Sequence, residues 1–361
     1  MNEPRLELNG RKYTSQQLTD STCLVSAQSE FEKSTLTFCY HWLSGKNEFT
    51  LTTSGSTGTP KSIVLKRHQM EASAQLTVDA LQLKPGYNAL VCLDTKFIAG
   101  QMMLVRSFLI GMNIIATEPA ANPLKNITNQ IDFAAFVPYQ IETILEEGYS
   151  QKLDILKCAI IGGAAVSESL KIKLQKVKAS FYATYGMTET ISHIALQKLN
   201  DTNVDERFNV VGNTKISQDE RGCLIVDAEY LDEEVITNDL VNIVDSSSFY
   251  WLGRFDNVIN SGGVKISPES VERMIQFIFE ENNLSNRFFV AGIPDAKLGQ
   301  RGVLFIEGSP LTQNIQDDLL NNLSTRVSKF ELPKEIKFIP AFSQTLSGKV
   351  NRLETIKLNK V

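Results

Sequence analysis

Residues 5–14 alternate between apolar and polar side chains around Asn9-Gly10. That dipeptide supplies the two left-handed positions of a tight turn, so the pattern predicts a β-hairpin. Over 31–43, Phe31, Leu36, Cys39, Tyr40 and Leu43 fall near helical spacing and predict a packing helix. Phe49-Thr50-Leu51-Thr52 returns to alternation and reads as a strand. Helix and strand then take turns. Residues 67–83 read as a helix, 89–93 as a buried strand and 97–110 as a mostly apolar helix. Strands follow at 114–116 and 133–138, a helix at 141–147 and a short strand at 158–161. Such alternation predicts a layered α/β domain with parallel strands. A boundary near Gly253-Arg254-Phe255-Asp256 divides the chain into 1–254 and 255–361. Beyond it Ser267 is expected to cap a helix with Pro268 at its first position and Val271, Met274, Ile275 and Ile278 on one face. Strands at 288–292, 302–306 and 335–339, with a helix over 312–328, complete a small α+β unit.

With 361 residues, 42% hydrophobic and 21% charged, the chain has apolar material for about two domains. Lys+Arg 36 against Asp+Glu 41 leaves a net charge of −5 with no basic block, which argues against nucleic acid or an anionic membrane surface as a partner. The first residues lack the apolar core of a signal peptide. The longest apolar region, 102–116, is broken by Arg106 and Asn113 and is too short to span a bilayer, so no membrane anchor and a cytoplasmic location are expected. Cys23, Cys39, Cys92, Cys158 and Cys223 include no CxxC pair and fit reduced thiols. His41, His68 and His193 show no metal spacing, and the absence of a G-x-S-x-G elbow argues against a serine hydrolase.

Chemistry concentrates in short stretches. The first is Thr52-Thr53-Ser54-Gly55-Ser56-Thr57-Gly58-Thr59-Pro60-Lys61-Ser62. Glycines let consecutive N–H groups converge, and with hydroxyls and one lysine they make a polyphosphate cradle. Pro60 stands where a Walker A loop needs its second glycine, so this is not that loop; a solvated Ser/Thr/Gly loop is the other local reading. Gly162-Gly163-Ala164 ends a strand and opens a helix, either to admit a flat ring against the backbone or simply as a tight turn. Tyr185-Gly186-Met187-Thr188-Glu189-Thr190 packs a ring, a glycine, hydroxyls and a carboxylate together. That set can supply an adenine contact, a phosphate ligand and a hard oxygen for Mg²⁺, or it is a helix N-terminus capped by Thr188. Thr237-Asn238-Asp239 offers a carboxylate able to accept two hydroxyls. Trp251-Leu252-Gly253-Arg254-Phe255-Asp256, Ser261-Gly262-Gly263-Val264-Lys265-Ile266 and Leu346-Ser347-Gly348-Lys349-Val350-Asn351-Arg352 follow.

In this order the stretches closely resemble the motifs of adenylate-forming enzymes, which include acyl-CoA synthetases, luciferases and peptide-synthetase adenylation domains. The resemblance spans residues 50–353. It implies a large layered α/β domain holding the nucleotide and a small mobile α+β domain acting as a lid. It also implies a reaction: a small carboxylic acid attacks the α-phosphate of MgATP to give acyl-AMP and pyrophosphate, and CoA then takes the acyl group. By the same resemblance Thr53, Ser54, Gly55, Ser56, Thr57, Gly58 and Lys61 clamp phosphates. Gly162, Gly163 and Ala164 lie against adenine and border the acyl pocket. Tyr185, Gly186, Met187 and Thr188 complete the nucleotide site, and Glu189 is the magnesium ligand. Asp239 takes the ribose, Arg254 the ribose or phosphate, and Asp256 the hinge. Gly262 and Gly263 line the thiol tunnel, and Lys349 is the cation of the adenylation step. Asn238 stands where the family usually has glycine, a mild departure since Asn tolerates the left-handed conformation.

The segment from Lys96 to Arg106 corresponds to one that lines the acyl pocket in the family, with Lys96 where a histidine is common. Together with the compact length and residues 185–193, it looks most like the o-succinylbenzoate–CoA ligases of menaquinone biosynthesis. A dianionic aromatic acid needs cationic or amide donors, which Lys96, Gln101 or Arg106, beside Gly100 and His193, are placed to supply. Arg106 equally suits an interhelix salt bridge, and His193 a structural role. Another aryl- or fatty-acyl–CoA ligase, or a non-catalytic AMP-binding protein, are the alternatives. The phosphate stretch comes much earlier here than in the family, so the chain looks like a shortened member. MgATP and the acid are expected at the C-terminal ends of the strands feeding Ser54 and Gly162.

Overall fold

Runs that are hydrophobic at successive positions, such as Phe133–Phe136, Cys158–Ile161 and Asn88–Val91 after its first residue, are what a strand covered on both faces requires. In the computed structural model, which describes residues 6–54, 60–201, 205–344 and 350–359 with the side chains of 52–61 left aside, these runs form the centre of a thirteen-stranded sheet. Side chains divide by parity. Ala89, Val91, Phe133, Ala135, Cys158 and Ile160 face one core, under the helices Glu30–Leu43, Arg67–Leu81 and Ile98–Ile110. Leu90, Cys92, Ala134, Phe136, Ala159 and Ile161 face the other, under Pro138–Glu146 and Glu168–Leu174.

Six neighbouring strands run parallel, in the order Ser180–Gly186, Cys158–Ile161, Phe133–Phe136, Asn88–Val91, Asn113–Ala116 and Leu6–Leu8. Arg11–Tyr13 closes that edge through the expected hairpin, with Asn9 and Gly10 at φ 48° and 81°. On the other side the pairing becomes antiparallel, through His193–Lys198, Phe208–Val210, Ser248–Arg254, Val235–Asp245, Cys223–Asp227 and Lys215–Gln218. The helix-and-strand order read from the sequence therefore describes only part of the large sheet. Short connections between successive strands leave no room for the crossover that parallel pairing needs.

A second correction concerns the phosphate stretch. Glu48–Ser54 pairs with Pro60–Lys66 as a separate two-stranded antiparallel ribbon, with Thr53 opposite Lys61 and Ser54 opposite Pro60. Residues 55–59 link the two strands, far too few to carry a crossover into a parallel sheet. The strand feeding Ser54 is thus not part of the main sheet, whereas the strand feeding Gly162 is.

The C-terminal part has its own sheet, with Gly299–Glu307 paired to Ile259–Ser261, Phe288–Asp295 and Glu335–Ile339. Val264–Ile266 lies at its edge. Helices Pro268–Glu281 and Gln313–Ser324 cover one face through Val271, Ile275, Ile278, Leu319 and Leu323. Ser267 holds the N-cap position with Pro268 behind it, but its hydroxyl does not cap the helix; it donates to Leu252 O at 2.9 Å. All five cysteines are buried and free. Among the described residues no helix is long and apolar enough to cross a membrane.

Candidate functional site

Strand Ser180–Gly186 turns back through residues 187–192 into His193–Lys198, so the motif from Tyr185 to Thr190 is a hairpin loop and Thr188 is not a helix cap. Gly186 sits opposite His193, and a Cβ there would lie 2.4 Å from His193 Cα and from Ser192 O, which only glycine avoids. Thr190, fully buried, accepts from Met187 N–H at 3.0 Å and lies 2.7 Å from Ser192 O. Ile191 takes φ 69°, a costly backbone for a β-branched residue, held by this over-determined turn. The loop so fixed leaves Thr188 half-buried and Glu189 exposed.

Behind the loop Tyr185 is 8% exposed, its ring packed edge-on against Phe249 and tilted against Phe208. Its hydroxyl donates to Asp239 Oδ2 at 2.8 Å. Burial first, and then the Asp239 carboxylate, push the phenol well above its ordinary range. Asp239 stands opposite Arg254 in the strand pair Val235–Asp245 and Ser248–Arg254. Trp251 Nε1 donates to its Oδ1 at 3.3 Å and Arg254 Nη1 lies 3.6 Å away. The tyrosine ring, read from the motif as a stacking surface, thus also builds the core, and its hydroxyl orients the carboxylate. Trp251 has a part that the motif alone did not assign; its signal was its place in the same Trp251–Asp256 stretch as Arg254.

Arg254 also donates through Nη2 to Asp256 at 2.7 Å. Burial works against its charge, but Asp256 and Asp239 together leave the guanidinium more basic than usual. Asp256 lies in the single turn Phe255–Asn257, and Gly253 before it has φ 136°. A Cβ at Gly253 would meet Glu269 Oε2 at 2.6 Å and Ser267 Oγ at 2.7 Å, both from the start of the helix Pro268–Glu281. The chain therefore passes between the two sheets at a crowded position whose backbone conformation favours glycine.

On the other side of the hairpin loop, Arg106 is 1% exposed in the middle of helix Ile98–Ile110. Among the described residues it has no carboxylate partner: Nη2 donates to the half-buried Ser192 hydroxyl at 2.7 Å, Nη1 reaches Met103 Sδ at 4.0 Å, and Nε has no partner. Burial lowers its pKa to about 9. The interhelix salt bridge is therefore not formed. His193, 5% exposed, shares a 3.1 Å hydrogen bond with Thr77 and is kept neutral by burial and then by the Arg106 charge.

Lys96 is not brought to this group. It is half-exposed and lies 3.5 Å from Glu30 at the surface. Gln101 donates to Thr95 O at 3.0 Å, its Oε1 is unpartnered, and with Lys96 it lines a separate cleft of ≈ 340 Å³. Gly100 has a packing reason, since a Cβ would lie 2.6 Å from Asp94 O.

After strand Cys158–Ile161, Gly162 leaves room for Thr184, whose Oγ1 would be 2.5 Å from a Cβ, and Gly163 takes φ 84°. Gly163 and Ala164 are exposed, and the helix begins only at Glu168, capped by Ser167. Gly262 and Gly263, at φ 60° and 84°, make the exposed turn between Ile259–Ser261 and Val264–Ile266. Gly55, Ser56, Thr57, Gly58 and Lys349 lie outside the described residues, as do the side chains of Thr53, Ser54 and Lys61.

A family model described as AMP-binding enzyme matches residues 44–232. A 2-succinylbenzoate–CoA ligase of Lactococcus lactis subsp. lactis (strain IL1403) is 24% identical over 360 residues, covering 93% of this chain and 74% of its own length. One from Salmonella typhimurium (strain LT2) is 24% identical over 338 residues, covering 90% and 71%. Among solved structures, an acyl-CoA synthetase (AMP-forming)/AMP-acid ligase II-like protein from Dyadobacter fermentans DSM 18053 is 40% identical with a TM-score of 0.61, covering 93% of this chain and 97% of that one. The o-succinylbenzoate CoA synthetase of Bacillus subtilis, in complex with its acyl-adenylate intermediate, is 20% identical with a TM-score of 0.72, covering 84% and 68%.

Proposed function

The chain belongs to the AMP-binding enzyme family and is a ligase of the acyl-CoA synthetase type, and from that premise we propose that the acid it joins to CoA is o-succinylbenzoate. The observation that carries this reading is Arg106, a buried cation whose described partners are a hydroxyl and a thioether. An uncompensated buried charge costs several kcal/mol, so proteins seldom keep one without a counter-charge that arrives. A dicarboxylate brings one. One of its carboxylates reacts, and the other reaches the guanidinium at Ser192, next to a neutral His193. The 2-succinylbenzoate–CoA ligases among the relatives support the same acid.

In this reading Asp239 accepts the ribose hydroxyls. Tyr185 and Trp251 each occupy one of its oxygens and leave lone pairs free. Thr188 and the backbone of the loop face the α-phosphate, and the 52–62 stretch holds the rest of the polyphosphate. Among the described residues no three of His, Cys, Asp and Glu converge as a metal cage. Magnesium bound through one carboxylate and the phosphates it accompanies needs none, and exposed Glu189 is the hard oxygen ligand that suits it. When bound, the ion neutralises polyphosphate charge. Lys349 places its ammonium between the attacking carboxylate and the α-phosphate, offsetting the repulsion of like charges. Residues 255–361 then turn about Asp256 to present the Gly262-Gly263 loop for the thiol step.

Pyrophosphate release and thioester formation with o-succinylbenzoate, benzoate and medium-chain fatty acids test the reading. o-Succinylbenzoate should give the highest kcat/KM by at least tenfold. A preference for benzoate or a fatty acid rejects the proposed acid.

A further inference from the structure

We propose that Glu272 and Arg352 are positioning residues for the adenylation step, clamping the C-terminal stem of the segment that carries Lys349. The proposal rests on the role given to Lys349 above. Glu272 projects from helix Pro268–Glu281 and its side chain is 17% exposed. One oxygen accepts from Val290 N–H at 2.7 Å and the other from Arg352 Nη2 at 2.9 Å. Arg352 returns to the same residue, with Nη1 donating to Val290 O at 3.4 Å, and its guanidinium lies 5.7 Å from the Phe289 ring centroid. Two side chains and the backbone N–H and C=O of one residue thus join helix Pro268–Glu281, strand Phe288–Asp295 and helix Arg352–Leu358. Burial raises the Glu272 carboxyl to about 7, against the opposing pull of Arg352.

The preceding stem is held in parallel fashion. Gln344 bridges Val350, Asn351 N–H donates to Ser343 O at 2.8 Å, and Phe342 N–H donates to Glu307 Oε1 at 2.7 Å. Glu307 is itself gripped by Arg287. Both flanks of 345–349 are thus anchored, and in the sequence Arg352 follows Lys349 by three positions.

A largely buried ion pair adds little to stability compared with apolar residues of the same volume; what it adds is a defined geometry. Geometry is what an adenylation lysine needs, since a displacement of about 1 Å in a catalytic group can cost ~10²-fold in rate. The thiol step, run with the small domain turned, does not use that ammonium. A clamp on Lys349 therefore affects one half-reaction and not the other. A pair that merely stabilises the fold affects both.

The test measures both half-reactions on the full chain: acyl-AMP formation from ATP, and conversion of supplied acyl-AMP to thioester. Glu272→Gln and Arg352→Gln should each slow adenylation about 10- to 100-fold and leave thioester formation within about twofold. The double variant should be no slower than the slower single, because both act through one clamp. Arg352→Lys, which keeps the charge but loses the fork, should recover only part of the rate. Arg326→Gln breaks an exposed 2.8 Å pair with Glu281 on the same helix and should change neither step. Equal losses in both steps, additive losses in the double variant, or undiminished adenylation overturn the proposal. Lys349→Ala separates it from its premise. If that variant loses adenylation while the clamp variants keep it, only the clamp fails; if it keeps adenylation, the role of Lys349 fails as well.

Discussion

Replacing Arg106 by Met keeps the length of an unbranched side chain and removes the charge. Arg106 is 1% exposed, and burial alone lowers its pKa from the ordinary guanidinium range to about 9. At about 1.4 kcal/mol per pH unit, that difference amounts to roughly 5 kcal/mol against the charged form. Methionine forfeits the Ser192 hydrogen bond and some packing, so a net gain of about 1–4 kcal/mol in stability is expected. The sign with pH follows. The folded pKa lies below the unfolded one, so the penalty is fully present below about 9 and is relieved as pH rises from there towards the ordinary guanidinium range. Between pH 6 and 8 the variant's advantage should therefore be constant. Activity should move the other way. A carboxylate that loses a charged donor loses about 1.5–3 kcal/mol, so kcat/KM for o-succinylbenzoate should fall roughly 10- to 100-fold while benzoate changes little. Thermal melts at several pH values and kinetics with both acids check each half. A lower melting temperature would show that the cation is satisfied in the native protein and remove the reason for expecting a second carboxylate. An unchanged ratio between the two acids would remove the contact itself.

Tyr185→Phe removes the hydroxyl that donates to Asp239 at 2.8 Å but keeps the ring contacts to Phe208 and Phe249. It should cost about 1.5–3 kcal/mol in denaturant melts and raise the KM for ATP more than it lowers kcat; an unchanged KM would separate Asp239 from the ribose. Glu189→Gln alters an exposed side chain, so stability should stay within about 0.5 kcal/mol while adenylation falls on the order of 10²-fold. Full activity of that variant at limiting Mg²⁺ would release Glu189 from the metal. Asp256→Pro removes the partner that Arg254 holds at 2.7 Å and restricts φ in the turn Phe255–Asn257. It should slow one half-reaction much more than the other, and equal small effects on both would dispose of the hinge.

Much of this protein is legible without its structure because the deciding interactions are local. Asn9-Gly10 forms its turn since both residues accept the left-handed conformation whatever surrounds them. The runs at 89–93, 133–138 and 158–161 emerge as the strands Asn88–Val91, Phe133–Phe136 and Cys158–Ile161, since two-sided burial demands apolar residues at every position. The motif order points to the family whose model matches residues 44–232 for a related reason: each motif is a run of consecutive residues. Tertiary structure decides whatever depends on which distant group arrives. Residues 49–52 carry a strand signal, yet only pairing with Pro60–Lys66 makes them part of a ribbon rather than of the main sheet. Ser267 occupies a cap position, but Leu252 O lies near enough to take its hydroxyl. Lys96 and Arg106 both look available to an anion. One reaches the surface and Glu30, while the other lies beneath the 187–192 loop with no acid beside it among the described residues. Charge, volume and spacing along the chain are the same in either case. Burial and the identity of the neighbour decide whether a cation is solvated at the surface or enclosed beside a hydroxyl, and both arise only when segments far apart in sequence pack together.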